Sequence, residues 1–470
     1  MTSLPPPVAL TLVPPGPITD RIDLEIRGCV RNLSSRAQRF EIRITVDDRT
    51  DAPLFVESIE LTPGEAHGVS LRWPTRGQAG ERELTITAGT GPHVHRATRR
   101  LRVLKSGVRG TRRIGGAWLG LLHWSEDEGA RWNDTLRTFS DDDWREQVRG
   151  MHEIGFDLIT VQETWRNPTY YGRHYHQMNA DNYRETFAGR AFYPSSLWPG
   201  RMDLPADDPL TAILDEADQL DMHVMLGVGM YAHFDYTPGS LAWHKDVVTE
   251  LWQRYGHHPS LYGWYIAEEL SGRIKPHEIR YWDATDQFRD EVVTFFREFA
   301  AHCACFAPDK VVMVAPDAHY QHEAADIWPQ LARHCNVLCV QGYQRAPKPG
   351  ISHEQSIAIL QDICDQAGAH LWMDMEVFGF EHPDKAGPQA EQYSRTLDDG
   401  TDAFVHVPLV PQRIETCAAS LARFTQLECV IAYQYPGILC APWASKKPGG
   451  DPAVQLFEDY RKYLQNLTDQ

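Results

Sequence analysis

Eight strand-like segments, separated by helix-like segments, repeat along most of this 470-residue chain. They are residues 116–124, 157–165, 222–230, 262–269, 310–316, 336–343, 370–378 and 430–435. Strands that alternate with helices in this way indicate parallel β/α units. Eight such units predict a closed (β/α)8 TIM barrel. An open doubly wound sheet is the alternative, but no glycine-rich phosphate loop follows any of the strands.

The first 105 residues have a different pattern. They contain short runs in which apolar and polar residues alternate, as in half-buried strands. Turn signals such as Asp47-Asp48 separate these runs. The spacing is typical of an immunoglobulin-like β-sandwich. The predicted division is therefore a sandwich over residues 1–105, a linker over 106–113 and the barrel over 114–470. The sandwich is either a structural spacer or a carbohydrate-binding module, and the scarcity of exposed aromatic residues favours the spacer.

Composition excludes several kinds of partner. The formal net charge of −18 disfavours nucleic acid, because an acidic surface repels phosphate. No apolar segment is long enough to span a membrane. The N-terminus lacks a signal-peptide pattern, so the chain as written is expected in the cytoplasm; a secreted or periplasmic protein requires a leader that was removed. The nine cysteines lack zinc-site spacing, so neither a metal nor another cofactor is expected.

Two of the barrel strands end in carboxylates. Strand four ends in Glu268 and Glu269, and strand seven ends in Glu376, with Asp374 two residues earlier on the same face. The carboxyl ends of barrel strands meet at one face, where catalytic groups lie. Cleavage of a glycosidic bond needs two carboxyl groups, one to protonate the leaving oxygen and one to attack or to activate water. Alternation sends Glu268 and Glu269 to opposite sides, and the pattern alone leaves open which one faces the cleft.

Polar and aromatic residues follow the other strands and are expected to hold a sugar substrate, since aromatic faces pack on sugar rings and polar groups bind hydroxyls. The predicted substrate-binding residues are Trp124, Gln162, Glu163, Trp165, Tyr231, His233, Asp317, His319, Gln341, Tyr343, Gln434 and Tyr435. For Trp124 and Trp165, packing in the core is an equally good interpretation. Arg166 begins a long polar loop that could bind an anionic sugar or form a solvated surface.

The fourth strand, Gly-Trp-Tyr-Ile-Ala-Glu-Glu, resembles the strand that ends in Asn-Glu in the large clan of retaining (β/α)8 glycoside hydrolases. This resemblance implies that Glu269 is the acid/base, that Glu376 is the nucleophile and that Tyr343 hydrogen-bonds to the nucleophile. Glu268 takes the place of the clan's asparagine, which contacts the sugar 2-hydroxyl. Because of that departure, an inverting mechanism stays open.

A second resemblance is to a bacterial family of glycoside-hydrolase-like barrels described as a domain of unknown function. It is carried by Ala191-Phe192-Tyr193-Pro194-Ser195, by Asp208-Pro209-Leu210 and by residues 263–269 and 371–378. The similarity covers most of residues 115–445. The order of these motifs along the chain is more specific than any one of them.

The predicted function is hydrolysis of O-glycosidic bonds in an oligo- or polysaccharide by two carboxylates, with retention of configuration. Two alternatives remain. The first is a non-catalytic carbohydrate-binding barrel. The second is a metal-dependent hydrolase, for which the strand ends offer ligands but no His-Glu-x-x-His helix. These ligands are Glu163, His233, Glu268, Asp317 and His319. The sugar, the linkage and the oligomeric state do not follow from the sequence.

Overall fold

The computed structural model describes most of the chain. The described residues are 4–90, 93–166, 190–197, 200–229, 236–270, 272, 274, 286–316, 321–341, 351–381, 392–396 and 402–468. They form an N-terminal all-β region and a closed parallel barrel.

The N-terminal region consists of two sheets that share one apolar core. The first sheet contains β1 (Val8–Val13), β3 (Asp23–Arg31) and β6 (Ala66–Pro74). The second has the order β2-β8-β7-β4-β5, from β2 (Ile18–Thr19), β4 (Gln38–Val46), β5 (Phe55–Leu61), β7 (Gly80–Thr90) and β8 (His93–Leu104). The prediction of separate all-β structure is confirmed. The sequence pattern missed β1 and β2, because prolines surround both.

Eight parallel strands close into a barrel, as predicted. They are β9 (Gly116–Leu119), β10 (Leu158–Val161), β13 (His223–Gly227), β14 (Leu261–Leu270), β15 (Val311–Pro316), β16 (Val337–Val340), β17 (His370–Glu376) and β22 (Cys429–Tyr433). The last strand pairs with the first through Ile431 and Gly116, which closes the ring.

Three short antiparallel pairs lie outside the barrel. These are β11 (Trp165–Arg166) with β12 (Arg190–Ala191), β18 (Phe378–Phe380) with β21 (Leu409–Pro411), and β19 (Gln392–Thr396) with β20 (Asp402–His406). The first two pairs start directly after barrel strands and therefore extend the carboxyl-terminal face.

Helices follow the barrel strands and cover the outside of the barrel. They are α1 (Asn133–Leu136), α2 (Asp141–Glu153), α3 (Pro209–Gln219), α4 (Pro238–Tyr255), α5 (Asp286–Ala304), α6 (Trp328–Ala332), α7 (His353–Ala367), α8 (Ile414–Arg423) and α9 (Gly450–Thr468). The predicted starts of two helices are confirmed: Ser140 and Asp143 form a capping box on α2, and Asp208 caps α3 before Pro209. No helix in the described part of the chain is long and apolar enough to cross a membrane.

The barrel separates two apolar layers. Trp118, Tyr265, Met313 and Trp372 belong to the cluster inside the barrel, whereas the larger cluster fills the space between strands and helices. Val13 of the N-terminal region also belongs to the interior cluster. The N-terminal sheets therefore close the amino-terminal end of the barrel, which leaves the carboxyl-terminal end as the face for a site.

Candidate functional site

The carboxylates of β17 face the barrel interior. Trp372 lies in the interior cluster, while Met373 and Met375 lie in the outer layer, so alternation places Asp374 and Glu376 on the inward side. Both side chains are buried, with 3% of Asp374 and 7% of Glu376 exposed. Glu376 is the last residue of the strand. Strand seven therefore delivers a carboxylate to the mouth of the barrel.

The backbone of Glu268 and Glu269 lies in β14, and their side chains lie outside the described residues. On the same strand Tyr265 and Ala267 belong to the interior, while Ile266 and Leu270 belong to the outer layer. Ile266 pairs with Val314, and Leu270 pairs with Pro316. Between these two pairs β14 advances by four residues and β15 by two, so β14 contains a bulge. Such bulges are common beside active sites, because they redirect side chains.

Tyr433, the last residue of β22, occupies the centre of the described site. Its hydroxyl lies 3.2 Å from His123 Nε2 and accepts a hydrogen bond of 3.3 Å from Gln162 Nε2. Its Cα is in register with that of Glu376 on β17. Burial and the charges of Glu128 and Asp374 raise the pKa of Tyr433, so the phenol stays protonated. The sequence interpretation missed this residue, although its inward alternation with Ile431 would have indicated it.

His123 is fully buried after β9 and links Tyr433 to the loop that follows. Nδ1 lies 3.0 Å from the Ser125 carbonyl oxygen, and Nε2 lies 3.5 Å from a Glu128 carboxylate oxygen. The Asn133 side chain accepts a hydrogen bond of 2.8 Å from the His123 backbone N–H. These contacts fix the imidazole in place beside the phenol.

Glu163 and Arg166 form a fully buried ion pair. Arg166 also donates hydrogen bonds to the carbonyl oxygens of Leu122 (2.7 Å) and His123 (3.1 Å). The pair therefore holds the segment that carries His123. This placement corrects two expectations: Glu163 is engaged by an arginine rather than open to sugar or metal, and Arg166 is fully buried rather than part of an exposed anion-binding loop.

Trp165 and Tyr435 lie in the outer apolar layer, so both leave the substrate-binding set. The Trp165 indole N–H donates to Tyr193 Oη at 3.0 Å, and its ring packs edge-on against Trp243. Tyr435 packs near Phe156, beneath helix α2. Strand β22 ends at Tyr433, so the inward alternation stops before Tyr435. For Trp165, the core-packing alternative is the one that the structure favours.

Three other predicted residues lie near the mouth. Trp124 is half-buried, with its ring 5.9 Å from that of His123. Gln341 is half-buried directly after β16, and Gln434 is fully buried after β22. A Cβ on Gly120 would lie 2.8 Å from Gln434 Oε1 and 3.2 Å from Gln162 Oε1, so the two amide oxygens converge on this glycine. Together with Tyr433, the two glutamine amides line the strand-one side of the site.

The remaining predicted residues lie outside the described residues: Tyr231, His233, Asp317, His319 and Tyr343. Among the described side chains, one group has the geometry to hold a metal ion, namely Asp215, Asp218 and His258. His258 Nδ1 lies 2.7 Å from Asp218, and His258 precedes β14, at the amino-terminal end of the barrel. This group therefore belongs to the opposite end from Glu376.

The Ala-Phe-Tyr-Pro-Ser-Ser segment is structural. Glu250 on α4 accepts hydrogen bonds from Tyr193 Oη (2.7 Å), the Ser196 N–H (2.6 Å) and the Ser195 hydroxyl. Burial opposes ionisation, but these hydrogen bonds lower the pKa of Glu250 and keep it charged. The motif thus anchors the segment after β12 to α4, which supports the loops on the site face.

A family model described as a domain of unknown function, DUF4434, matches residues 114–446. The chain belongs to the DUF4434 family. The match confirms the resemblance to a family of unknown function that the motif order indicated. No curated protein matches the chain.

Solved structures similar to this DUF4434 protein include two β-glucuronidases and a GH2 β-galacturonidase. β-Glucuronidase 2 of Bacteroides uniformis is 10% identical, with a TM-score of 0.41, over 97% of this chain and 50% of that one. β-Galacturonidase of Eisenbergiella tayi is 12% identical, with a TM-score of 0.39, over 97% and 73%. β-Glucuronidase of Parabacteroides merdae is 11% identical, with a TM-score of 0.38, over 97% and 52%. The chain spans about half the length of the two β-glucuronidases.

Proposed function

We propose that this DUF4434 protein is a glycoside hydrolase that cleaves an oligo- or polysaccharide, with Glu376 as nucleophile and Glu269 as acid/base. One observation carries the proposal: Glu376 ends β17 on the inward side of a closed barrel whose strand four carries Glu268 and Glu269 directly before its last residue, Leu270. Catalytic groups in this fold lie at the carboxyl ends of strands. Two carboxyl groups from separate strands are the equipment that glycoside cleavage requires.

The proposed reaction has two steps. Glu269 protonates the leaving glycosidic oxygen while the Glu376 carboxylate attacks the anomeric carbon, which gives a covalent glycosyl ester. Glu269 then removes a proton from water, and the water oxygen displaces Glu376 with overall retention of configuration. This mechanism needs the two carboxyl groups about 5–5.5 Å apart, whereas about 6.5–9.5 Å would favour inversion.

The choice of Glu269 over Glu268 has one support. The resemblance of strand four gives residue 269 the acid/base place. Glu268 then takes the place that the resemblance gives to a sugar-contacting asparagine. As a carboxylate it would accept hydrogen bonds from sugar hydroxyls.

Substrate contacts are proposed for Trp124, Gln162, Gln341 and Gln434. Trp124 offers a half-buried ring beside the mouth, and the glutamine amides offer donors and acceptors for hydroxyls. Gln162 already donates to Tyr433, which leaves its oxygen as the group available to a sugar hydroxyl. For Tyr231, His233, Asp317, His319 and Tyr343, substrate binding stays a prediction from the sequence.

A glycan panel tests the proposal, with aryl glycosides and polysaccharides digested by the purified full chain. On any substrate that the parent cleaves, Glu269→Gln should lower kcat by about 10²- to 10⁴-fold, the usual contribution of a general acid. Glu376→Gln should abolish measurable turnover, because no covalent intermediate can form. Glu381→Gln is the matched control, since Glu381 lies after β18 and pairs with Arg131 at the surface.

Four outcomes separate the alternatives. Full activity in both Glu376→Gln and Glu269→Gln would overturn the assignment. Tight binding of a glycan without cleavage anywhere in the panel would favour the non-catalytic carbohydrate-binding barrel. Activity that disappears on exhaustive chelation and returns with a divalent metal would favour the metal-dependent hydrolase. Full activity after chelation would remove that alternative.

A further inference from the structure

A glycine lies between two glutamine side chains at the end of the first barrel strand. In the closed barrel β9 has β22 on one side and β10 on the other. Gly120 directly follows β9, Gln434 follows β22 and Gln162 follows β10. A Cβ on Gly120 would lie 2.8 Å from Gln434 Oε1 and 3.2 Å from Gln162 Oε1. We term these three residues the acceptor cradle, because two amide oxygens converge in it at the carboxyl-terminal face.

The orientation of the Gln434 amide follows from its other end. Its Nε2 donates to the Pro436 carbonyl oxygen at 3.0 Å. A carbonyl oxygen only accepts, so the nitrogen must face Pro436 and the oxygen is left to face Gly120. Gln434 is fully buried, and its Oε1 has no hydrogen-bond donor among the residues that the structure describes.

The Gln162 amide is oriented by a chain of hydrogen bonds. Its Nε2 donates to Tyr433 Oη at 3.3 Å. In the neutral His123 tautomer whose Nδ1–H is donated to the Ser125 carbonyl oxygen (3.0 Å), Nε2 accepts the Tyr433 O–H over 3.2 Å. The Tyr433 hydroxyl then both donates and accepts, and the Gln162 nitrogen stays on the Tyr433 side. The Gln162 Oε1, turned towards Gly120, is buried and is likewise without a donor in the described part of the chain.

The acceptor cradle presents oxygens rather than donors. A third oxygen near the same Cβ position, the Leu122 carbonyl at 3.4 Å, already accepts a hydrogen bond of 2.7 Å from Arg166. A buried acceptor without a donor is unfavourable, and native proteins pair such atoms with a ligand or with ordered water. Two of these oxygens within 3.2 Å of one point therefore mark a place for a group that brings its own protons.

Neighbouring hydroxyls of a sugar ring have the matching chemistry. A vicinal diol supplies two O–H donors on adjacent carbons, one for each amide oxygen. A ring ether, a carbonyl or an ionised carboxylate offers only acceptors and leaves both amide oxygens unpaired. Gln162 keeps 7% of its surface exposed, which gives the diol an approach from the mouth of the barrel. Because the amide oxygens are screened from solvent, water competes little for these hydrogen bonds.

We propose that the acceptor cradle is a diol-binding subsite, in which Gln162 and Gln434 each accept a hydrogen bond from one of two adjacent sugar hydroxyls. Gly120 determines specificity, because a larger residue there fills the space between the two amide oxygens. The substrate class is therefore a sugar that is unsubstituted at two neighbouring ring positions. This inference rests on the proposed function in treating the sugar as a substrate, whereas the subsite itself is tested by binding.

The first experiment identifies the two hydroxyls by removing them. Isothermal titration of the full chain with neutral monosaccharides and their methyl glycosides selects a sugar that binds, and kcat/KM replaces the Kd for a glycoside that is cleaved. Monodeoxy analogues of that sugar should lose about 10-fold at two adjacent positions, the worth of one hydrogen bond each. Deoxyfluoro analogues should lose as much, because fluorine cannot donate. Recovery of affinity with fluorine would mean that the protein donates at that position, and would overturn the proposal.

The second experiment couples each hydroxyl to its glutamine. Methionine keeps the length of the side chain without the amide oxygen. One of the two deoxy penalties should therefore disappear in Gln434→Met, and the other in Gln162→Met. Because the sugar and its deoxy analogue are compared within one variant, a general loss of stability does not imitate this result. Penalties that are unchanged in both variants would overturn the proposal.

Gly120→Ala tests the space between the two amide oxygens. Its Cβ would lie 2.8 Å from Gln434 Oε1, which is too close, so the oxygens must separate. Sugar binding should weaken by about 10- to 100-fold, the loss of both hydrogen bonds. Gly379→Ala is the control on the same face, because the nearest described atom to its Cβ is Gln412 Nε2 at 3.8 Å. An affinity of Gly120→Ala equal to that of Gly379→Ala and the parent would overturn the role of Gly120.

The failure of the subsite and the failure of the proposed function are distinct. A sugar whose two penalties are coupled to the glutamines, in a chain that cleaves no glycan, supports the subsite and overturns the hydrolase. Cleavage with penalties unrelated to Gln162 and Gln434 overturns the subsite alone and leaves ordered water as the donor in the acceptor cradle. A chain that neither binds sugars at millimolar concentration nor cleaves them overturns both.

Discussion

His370 of the barrel hydrogen-bonds to Glu25 of the N-terminal sheets, with Nε2 3.0 Å from the carboxylate oxygen. Nδ1 of the same ring lies 2.6 Å from Glu428, so one fully buried imidazole joins two carboxylates at the amino-terminal end of the barrel. Burial opposes the charged imidazole, but the Glu428 charge and the two hydrogen bonds outweigh it and raise the pKa of His370. Although burial acts against ionisation, the His370 hydrogen bond and the Arg27 charge lower the pKa of Glu25 to about 2.

This ion pair predicts how stability depends on pH. A base whose folded pKa is raised stabilises the fold below its unfolded pKa of about 6.5 and loses that contribution as pH rises through the folded value. An acid whose folded pKa is lowered stabilises the fold above its unfolded pKa of about 4.5, and it loses that contribution as the pH falls towards 2. Urea unfolding of the parent should therefore show a decline in the free energy of unfolding above about pH 6.5 that His370→Gln removes.

His223→Gln is the matched control for that prediction. His223 is a buried histidine of β13, and burial with the charges of Arg99 and Lys310 lowers its pKa to about 3. It stays neutral in the fold, so the unfolded state binds more protons below about pH 6.5 and stability falls with falling pH. His223→Gln should remove the fall in the free energy of unfolding at acid pH and leave its decline at alkaline pH in place. The His370 assignment is wrong if His370→Gln retains the alkaline decline.

A second interdomain contact predicts a large loss of stability. Asp309 is fully buried, 3.0 Å from Arg31 of the N-terminal sheets and 2.9 Å from Lys310. Burial opposes its charge, but Lys310 and Arg31 hold the pKa of Asp309 well below its usual range. Asp309→Asn leaves Arg31 buried without a counter-charge and should cost about 3–5 kcal/mol in the free energy of unfolding. Urea denaturation followed by circular dichroism measures the loss.

Asp134→Asn serves as the comparison for Asp309→Asn. Asp134 pairs with Arg137 at 2.8 Å, but its side chain is almost fully exposed. An exposed pair of this kind is worth less than about 1 kcal/mol, because water and salt screen it. Losses of similar size in the two variants would contradict the prediction that burial makes the Asp309 pair important.

The sequence predicts the barrel well and the site only in part, for identifiable physical reasons. Buried parallel strands leave long apolar runs, and all eight were found in order. The ends of strands are harder to predict, because the sequence pattern does not show where the pairing with neighbouring strands stops. Strand one was predicted to reach Trp124 but ends at Leu119, and strand eight ends at Tyr433 instead of Tyr435. The second difference explains why Tyr435 was predicted in the site and Tyr433 was not.

The sequence pattern also does not show which buried polar side chains pair with each other. Glu163 and Arg166 are three residues apart, and nothing in their spacing shows whether they face each other or the cleft. Glu250 lies 57 positions beyond Tyr193, so only the folded chain brings them together. Glu376 was the more secure prediction, since a charge that ends an apolar strand in a barrel needs a reason to be there.

The proposed mechanism predicts the stereochemistry of the first product. If Glu376 attacks the anomeric carbon, hydrolysis should release a sugar with the configuration of the substrate. Proton NMR recorded within the first minutes of digestion distinguishes the two anomers before mutarotation mixes them. Release of the inverted anomer would instead make Glu376 a base that activates water, and would contradict its assignment as nucleophile. A substrate of the opposite anomeric configuration, which should not be cleaved, is the control.

The packing of Gly150 against Tyr435 gives a prediction that involves two substitutions. A Cβ on Gly150 of α2 would lie 2.2 Å from Tyr435 Oη, so Gly150→Ala forces a clash that should cost about 1–3 kcal/mol. The Tyr435 hydroxyl is buried and has no hydrogen-bond partner among the described residues, so Tyr435→Phe should be nearly neutral or stabilising. In the double variant the clash is largely relieved, and the helix gains about 0.5–1 kcal/mol from alanine over glycine.

A double-mutant cycle by urea unfolding should therefore give a coupling of about 1–2 kcal/mol between the two positions. Tyr433→Phe is the control for the cycle, because the Tyr433 hydroxyl contacts Gln162 and His123 rather than α2 and should not rescue Gly150→Ala. Additive effects of Gly150→Ala and Tyr435→Phe would show that the phenol does not face α2.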